Sequence, residues 1–198
     1  NEIKLLTNEY AFGDINPSPE NYLQYFGAVI ANNDTVKYSD TWKVLTNEFS
    51  VISYPDKMNS NQFLQLGSGY TQMTASYSSL PGWSNYDLYG FAVYKNKTKN
   101  QLWDLLASGK LYLNGFHAGD YDVQAALSRT LTSKGTYLKL SFQNVNRTPS
   151  LNTLGYTQFP IKGFSSINKE NATILNGVLA NKKLGWEAAV SYQMIQNY

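Results

Sequence analysis

The sequence predicts an all-β protein, an antiparallel up-and-down transmembrane β-barrel, from three observations. Apolar and polar residues alternate with a period of two over long runs. Helical spacing is nearly absent. Short connections rich in Lys and Asn alternate with longer ones in the second half of the chain. A period of two is the side-chain repeat of a strand, and about ten such runs fit the chain. They read as one barrel segment over 1–198 with no internal domain boundary.

Along the chain, IKLLTNEYAFG, NYLQYFGAVIA, TWKVLTNEFSVISY, QFLQLGSGYTQMTASY and NYDLYGFAVYK read as strands with less regular alternation. From there the pattern sharpens. Trp103, Leu105, Ala107, Leu111 and Leu113 alternate with Asp104, Ser108, Lys110 and Asn114. Tyr121, Val123, Ala125 and Leu127 alternate with Asp122, Gln124, Ala126 and Ser128, and Leu138, Leu140 and Phe142 with Lys139, Ser141 and Gln143. ATILNGVLA follows, and the last run, LGWEAAVSYQM, sets Leu184, Trp186, Val190, Tyr192 and Met194 against Glu187, Ser191 and Gln193. Between these runs lie the short KNKTKN, TSKG and NKK and the longer SLPGWSN, NGFHAGD and 147–171. Such a pattern arises when successive turns fall at opposite ends of a meander.

Two-faced strands this long suit a membrane. A tilted strand crosses a bilayer in about 9–11 residues. Backbone groups in lipid find no water, so such a sheet closes on itself. One face then meets hydrocarbon and the other a wet lumen. On this reading Leu138, Leu140, Phe142, Leu184, Trp186 and Val190 face lipid, and Lys110, Asp122, Gln124, Lys139, Gln143, Glu187 and Gln193 face the lumen. Trp103, Tyr121, Trp186 and Tyr192 are placed for an aromatic girdle. Arg129 falls on the apolar side, close enough to TSKG to reach the headgroups.

Composition agrees. Of 198 residues 42% are hydrophobic and only 15% charged, against about 25% in an ordinary soluble domain. Net charge is +2 with no basic run, which argues against nucleic acid as a partner. The absence of cysteine excludes disulfides and thiolate metal sites. No stretch approaches the roughly 18 consecutive apolar residues of a membrane helix. The chain opens directly in strand-like sequence, NEIKLLTNEY.

Catalytic and cofactor motifs do not emerge. His117 is the only histidine; a Ser150–His117–Asp120 triad can be drawn on paper, but no nucleophile-elbow motif supports it, and a loop histidine is the favoured reading. The GSG at 67–69 lies inside a strand pattern and reads as a bend or close-packing site, not a phosphate cradle. Asp120 and Asp122 read as a loop-edge and a lumen-facing acid. Arg147 opens a connection, 147–171, longer than most without a function or fold of their own. Either that loop enters the lumen as a constriction with Arg147 pinned to an acid on the wall, or it is an exposed extracellular loop.

Four motif groups bear a resemblance: Gly119-Asp120-Tyr121, Asn146-Arg147-Thr148-Pro149-Ser150, Lys169-Glu170-Asn171 with Thr173, and Asn197-Tyr198. Together the sequence around them resembles the putative porin family of Bacteroidota outer membranes, in register over the last part of the chain and in style over the rest. Gln196 departs from the pattern, standing where that family has Ser. The resemblance implies an outer-membrane barrel with a channel role and supplies no substrate. Family members are longer, and ten strands would leave both ends of the chain on the outer side, so a contiguous piece of a larger barrel is expected. The expected activity is passive or weakly selective diffusion of small solutes, with membrane lipid, lipopolysaccharide and possible envelope-complex proteins as partners, no cofactor and no enzymatic chemistry. The alternatives are a secreted or cell-surface β-sandwich that binds glycans and a non-conducting accessory barrel.

Overall fold

The computed structural model describes residues 2–15, 17–26, 35–77, 80–133, 135–149 and 168–197. Among them nine strands form one antiparallel sheet in chain order: β1 Glu2–Ile15, β2 Thr35–Ser53, β3 Gln62–Tyr77, β4 Trp83–Lys97, β5 Trp103–Gly115, β6 Tyr121–Thr130, β7 Thr136–Arg147, β8 Glu170–Asn181 and β9 Trp186–Gln196. Every strand pairs with its sequence neighbour, and β1 and β9 are the two open edges.

The count is nine, not ten, because NYLQYFGAVIA does not begin as a strand. Pro19–Asn21 (α1) and Tyr22–Phe26 are helical. Pro19 sits in the first turn and the Ser18 hydroxyl accepts from the Asn21 N–H at 3.4 Å, a helix start that outweighs the apolar run behind it. The hydroxyl of Tyr22 donates to Asp14 at 2.9 Å, and burial together with that bond pushes its pKa up to about 12. Residues 27–31 of the expected strand lie outside the described residues. An odd number of strands also sends β1 and β9 off in the same direction, so the sheet's path starts and finishes at opposite ends.

The alternation of short and long connections holds only in part. At one end the turns span 54–61, 98–102, 131–135 and 182–185. At the other they span 16–34, 78–82, 116–120 and 148–169. The middle two of this second set are short because β4 and β5 extend into SLPGWSN and NGFHAGD.

Residues directly opposite across an antiparallel pair share a face. The register therefore places Lys110 beside Asp122, and Gln124, Gln143, Ile174 and Gln193 in one row. Lys139 and Glu187 fall on the same, front face. Leu140, Gly177 and Val190 form a row on the back, with Phe142, Leu175 and Tyr192 beside it and Leu138 and Trp186 on the same side. Leu184 is different: it lies in the turn before β9, so strand parity does not fix its direction. The Asn181 side chain accepts from the N–H groups of Lys183 and Leu184, both at 2.9 Å, and Gly185 adopts φ +68°, which shifts the start of the strand to Trp186.

No second layer covers the back among the described residues. Leu5, Leu140 and Val190 are 71%, 51% and 70% exposed, and soluble monomers rarely leave such a continuous apolar face bare. Trp103 starts β5, and Tyr121 stands opposite Leu111 on the same face. The stretch of β5 between them, at about 3.4 Å per residue and a tilt of about 40°, is about 20 Å tall, close to a bilayer's apolar band. At its lower edge Arg129 lies 4.7 Å from the centre of the Trp103 ring. At its upper edge the amide of Asn144 donates to Thr173 (2.7 Å) and that of Asn171 to the Tyr121 hydroxyl (3.2 Å). Tyr192 sits within its strand rather than at the girdle.

Strands β1–β4 explain their own irregular alternation. Ile3, Leu5, Leu45, Phe49, Val51, Leu66 and Tyr70 are on the back. One step further along, Leu6, Val44 and Met73 are on the front, followed by Trp42, Ala75 and Trp83. The swap occurs at one register level, because Leu5 pairs with Leu45 and Leu6 with Val44. Above it the back carries Thr7, Glu9, Ser39, Thr41 and Lys43, and the front holds the buried Val36, Trp42, Met73 and Ala75. The 19 residues of β2 therefore cover two environments: a lower part with mainly apolar side chains behind it and an upper part with polar side chains behind it and a packed core in front.

Gly67 and Gly69 behave as the close-packing site expected. A Cβ on Gly69 would come within 2.2 Å of the Tyr89 ring, and one on Gly67 within 2.4 Å of the Phe91 ring. The two aromatics of β4 thus lie down across β3 where it has no side chains. Gly69→Ala is expected to lower stability by about 1–3 kcal/mol, read as an earlier urea midpoint of the detergent-folded protein. Gly13→Ala, where a Cβ meets nothing within 4 Å, should shift it by under about 0.5 kcal/mol.

Candidate functional site

The front face concentrates its charge where β1–β5 pass from the lower to the upper environment. Lys4, Thr46, Thr71 and Asp87 share one row there, and Glu2, Glu48, Gly69, Tyr89 and Tyr112 the next. Because Gly69 is bare, the Tyr89 hydroxyl reaches past it and donates to Glu48 at 2.5 Å. Lys110 places its ammonium 3.6 Å from the centre of the Tyr89 ring and 4.9 Å from that of Tyr112, a geometry in which the ring quadrupole attracts the cation. These groups border a cavity of about 290 Å³.

A turn closes the cavity from above. Gly115, at φ +108°, bends the chain after β5 so that residues 116–118 fold onto the front. Asp87 is buried and accepts twice from His117: from its backbone N–H at 2.8 Å, and in contact with ring Nδ1 at 2.6 Å. The neighbouring Phe116 meets Trp83 edge-on with centroids 5.4 Å apart, and Trp83 lies 5.6 Å from Trp42. The lone histidine thus pins a loop. Its carboxylate is Asp87, not Asp120, so the drawn triad does not assemble, and Ser150 lies outside the described residues.

Of the seven front-face residues expected from the sequence, Lys110 borders this cavity, and Asp122 and Gln124 border a neighbouring one. Gln143 donates to Asp122 at 3.2 Å. Lys139, Glu187 and Gln193 stand apart from it on later rows. Glu48, Asp87 and Tyr89 are the residues sequence reasoning missed. Their signal was the pair of glycines two apart in β3, which asks for large side chains on the next strand.

Compared with known families, the chain matches the putative porin family over residues 1–198. It belongs to that family. Membership makes this putative porin, at the family's level of description, a porin-like barrel of the outer membrane. No curated protein and no solved structure matches the chain.

The motifs of the putative porin that carried the resemblance meet at one place, the end of the sheet with the long connections. Asp120 is buried and holds both stems of the connection between β7 and β8: it accepts from the Thr148 N–H (2.8 Å) and hydroxyl (2.9 Å), and from the Lys169 ammonium (2.6 Å). Asn146 donates to the Gly119 carbonyl at 3.2 Å, and Asn197 to that of Lys169 at 3.2 Å. Arg147 is pinned to an acid on the neighbouring strand, Glu170 at 2.8 Å. Residues 150–167 of the connection lie outside the described residues, so the constriction reading is not decided by this pair.

The two ion pairs differ in worth. Arg147 is 67% exposed, whereas the Asp120 side chain is 6% exposed. Exposed pairs contribute about 0–1 kcal/mol, while removing a buried acceptor strands its donors. Asp120→Ala is expected to cost about 2–4 kcal/mol of unfolding free energy in detergent, and Arg147→Ala under about 1 kcal/mol, measured by urea titration of the folded protein.

Proposed function

We propose that the front face lines the lumen of an outer-membrane channel for passive or weakly selective diffusion of small solutes, and that the back face meets lipid and lipopolysaccharide. The observation that carries this reading is the uncovered back: below the level where β1–β4 change face, the nine strands present a broad, mainly apolar surface with no second layer over it among the described residues. Hydrocarbon is the solvent such a face requires. A soluble glycan-binding sandwich would need a second sheet there, and all nine strands lie in one.

The front supplies what a wet wall needs. Lys110, Asp122, Gln124, Lys139, Gln143, Glu187 and Gln193 would face water and tune which solutes pass. Trp42, Trp83 and Phe116 pack onto the same face above them, which favours a lumen narrowed at the long-connection end. Envelope-complex partners would dock on the water-backed upper parts of β1–β4.

Cysteine labelling in membranes tests the assignment of faces. Gln193→Cys should react with a small aqueous thiol reagent, and Val190→Cys should not. Equal reaction at the two positions would refute the assignment. Conductance in planar bilayers then separates an open channel from an accessory barrel, and a measurable ohmic current is expected.

A further inference from the structure

We infer that the front face holds a recognition site for non-anionic polyhydroxylated solutes of the saccharide class, built around Phe91; the inference rests on reading that face as a channel wall. A hollow of about 300 Å³ adjoins the cavity above and shares Glu48 and Lys110 with it, its remaining walls including Phe91, Ser108, Asp122 and Gln124. Since β3 is bare at Gly67, the Phe91 ring lies down across that strand instead of standing off it. The result is an apolar platform edged by donors and acceptors, the common composition of a small-molecule site.

The polar groups keep capacity beyond their internal bonds. Glu48 takes the Tyr89 hydroxyl on one oxygen, and Asp122 takes the Gln143 amide, at 3.2 and 3.4 Å. An ionised carboxylate offers about four acceptor positions, so both can still receive hydroxyl protons. Lys110 retains donors while resting on the Tyr89 ring. Gln124 offers a donor and an acceptor at once.

Charge decides the ligand class. An anion in the hollow would face two carboxylates against a single ammonium, Lys110, which stands directly opposite Asp122 in the register and offsets only part of their charge. A neutral or cationic polyol escapes that repulsion: adjacent hydroxyls donate to the carboxylates and accept from Lys110 and Gln124, while its C–H surface rests on the ring. The row that leads away from the hollow is Ser108, Gln124 and Gln143, then Gln193 beyond Ile174, and carries no charge. It offers a passing solute hydrogen bonds at strand spacing, about 4.8 Å.

The protein purified from outer membranes tests this in proteoliposomes and planar bilayers, with glucose, glucuronate and glucosamine as probes of nearly equal size. Glucose and glucosamine should both enter at least about threefold faster than glucuronate, and glucose should reduce the KCl current in a saturable way. Phe91→Leu, which keeps bulk but removes the ring, should weaken that block by about three- to tenfold and leave the KCl current within about twofold. Gln124→Leu should weaken it in the same direction, which guards against a folding defect in the first variant. A KCl current with glucose no better than glucuronate, or a block indifferent to both variants, overturns the saccharide site and leaves the channel standing. No current and no solute entry of any kind overturns both.

Discussion

A strand in hydrocarbon has only other strands to take its N–H and C=O groups, and the lower part of this sheet is built to meet that constraint. It demands long, unbroken pairing, which is seen from β1 to β9 with one register shift, between Leu88 and Tyr89. It also frees the side chains from making a core in the usual sense. Along the lower sheet the back is mainly apolar and the front carries the charged and amide side chains among apolar ones such as Ile52, Leu106 and Ile195, and the few buried apolar residues lie almost entirely elsewhere.

The upper parts of β1–β4 follow the opposite rule. There the back is polar and the front packs Val36, Trp42, Met73 and Ala75, with Phe116 and His117 folded over by the bond to Asp87. The change of rule takes place within one residue step on β1 and β2, and the charged cavity around Glu48, Tyr89 and Lys110 lies beside it. That position has a physical logic. Below it the front face is open, above it the front is filled, and the boundary is where charged side chains find both open space and close neighbours. The glycines of β3 supply the remaining ingredient, space for two aromatic rings to lie flat.

Much of this was legible in the sequence. The later strands, β6 to β9, keep one phase from end to end, so Leu140, Phe142 and Val190 could be assigned opposite Lys139, Gln143 and Gln193 by counting alone. The earlier strands were recognisable but blurred, and the doublets Leu5-Leu6 and Val44-Leu45 show why. Each marks a point where the apolar side changes face, which a search for constant alternation reads as noise. The NYLQYF segment misled because a short apolar run fits helix and strand alike, and only the Ser18-Pro19 start distinguishes them. Asp87 and His117 lie 30 residues apart, and no local pattern joins them. The motifs GDY, NRTPS and KEN were visible as a resemblance before they had a cause; their cause is Asp120 gathering both stems of one connection.

The change of solvent along β2 is the point at which the account is most exposed. Spin labels placed singly from Thr41 to Ile52 in the membrane-embedded protein would report collisions with lipid-dissolved oxygen and with an aqueous nickel chelate. Oxygen access should peak at Leu45, Phe49 and Val51 and vanish at the back-facing Lys43 and Thr41, where the chelate takes over, while Trp42 is shielded from both. A single phase of oxygen access running unbroken through Lys43 and Thr41, or no alternation at all, would contradict it.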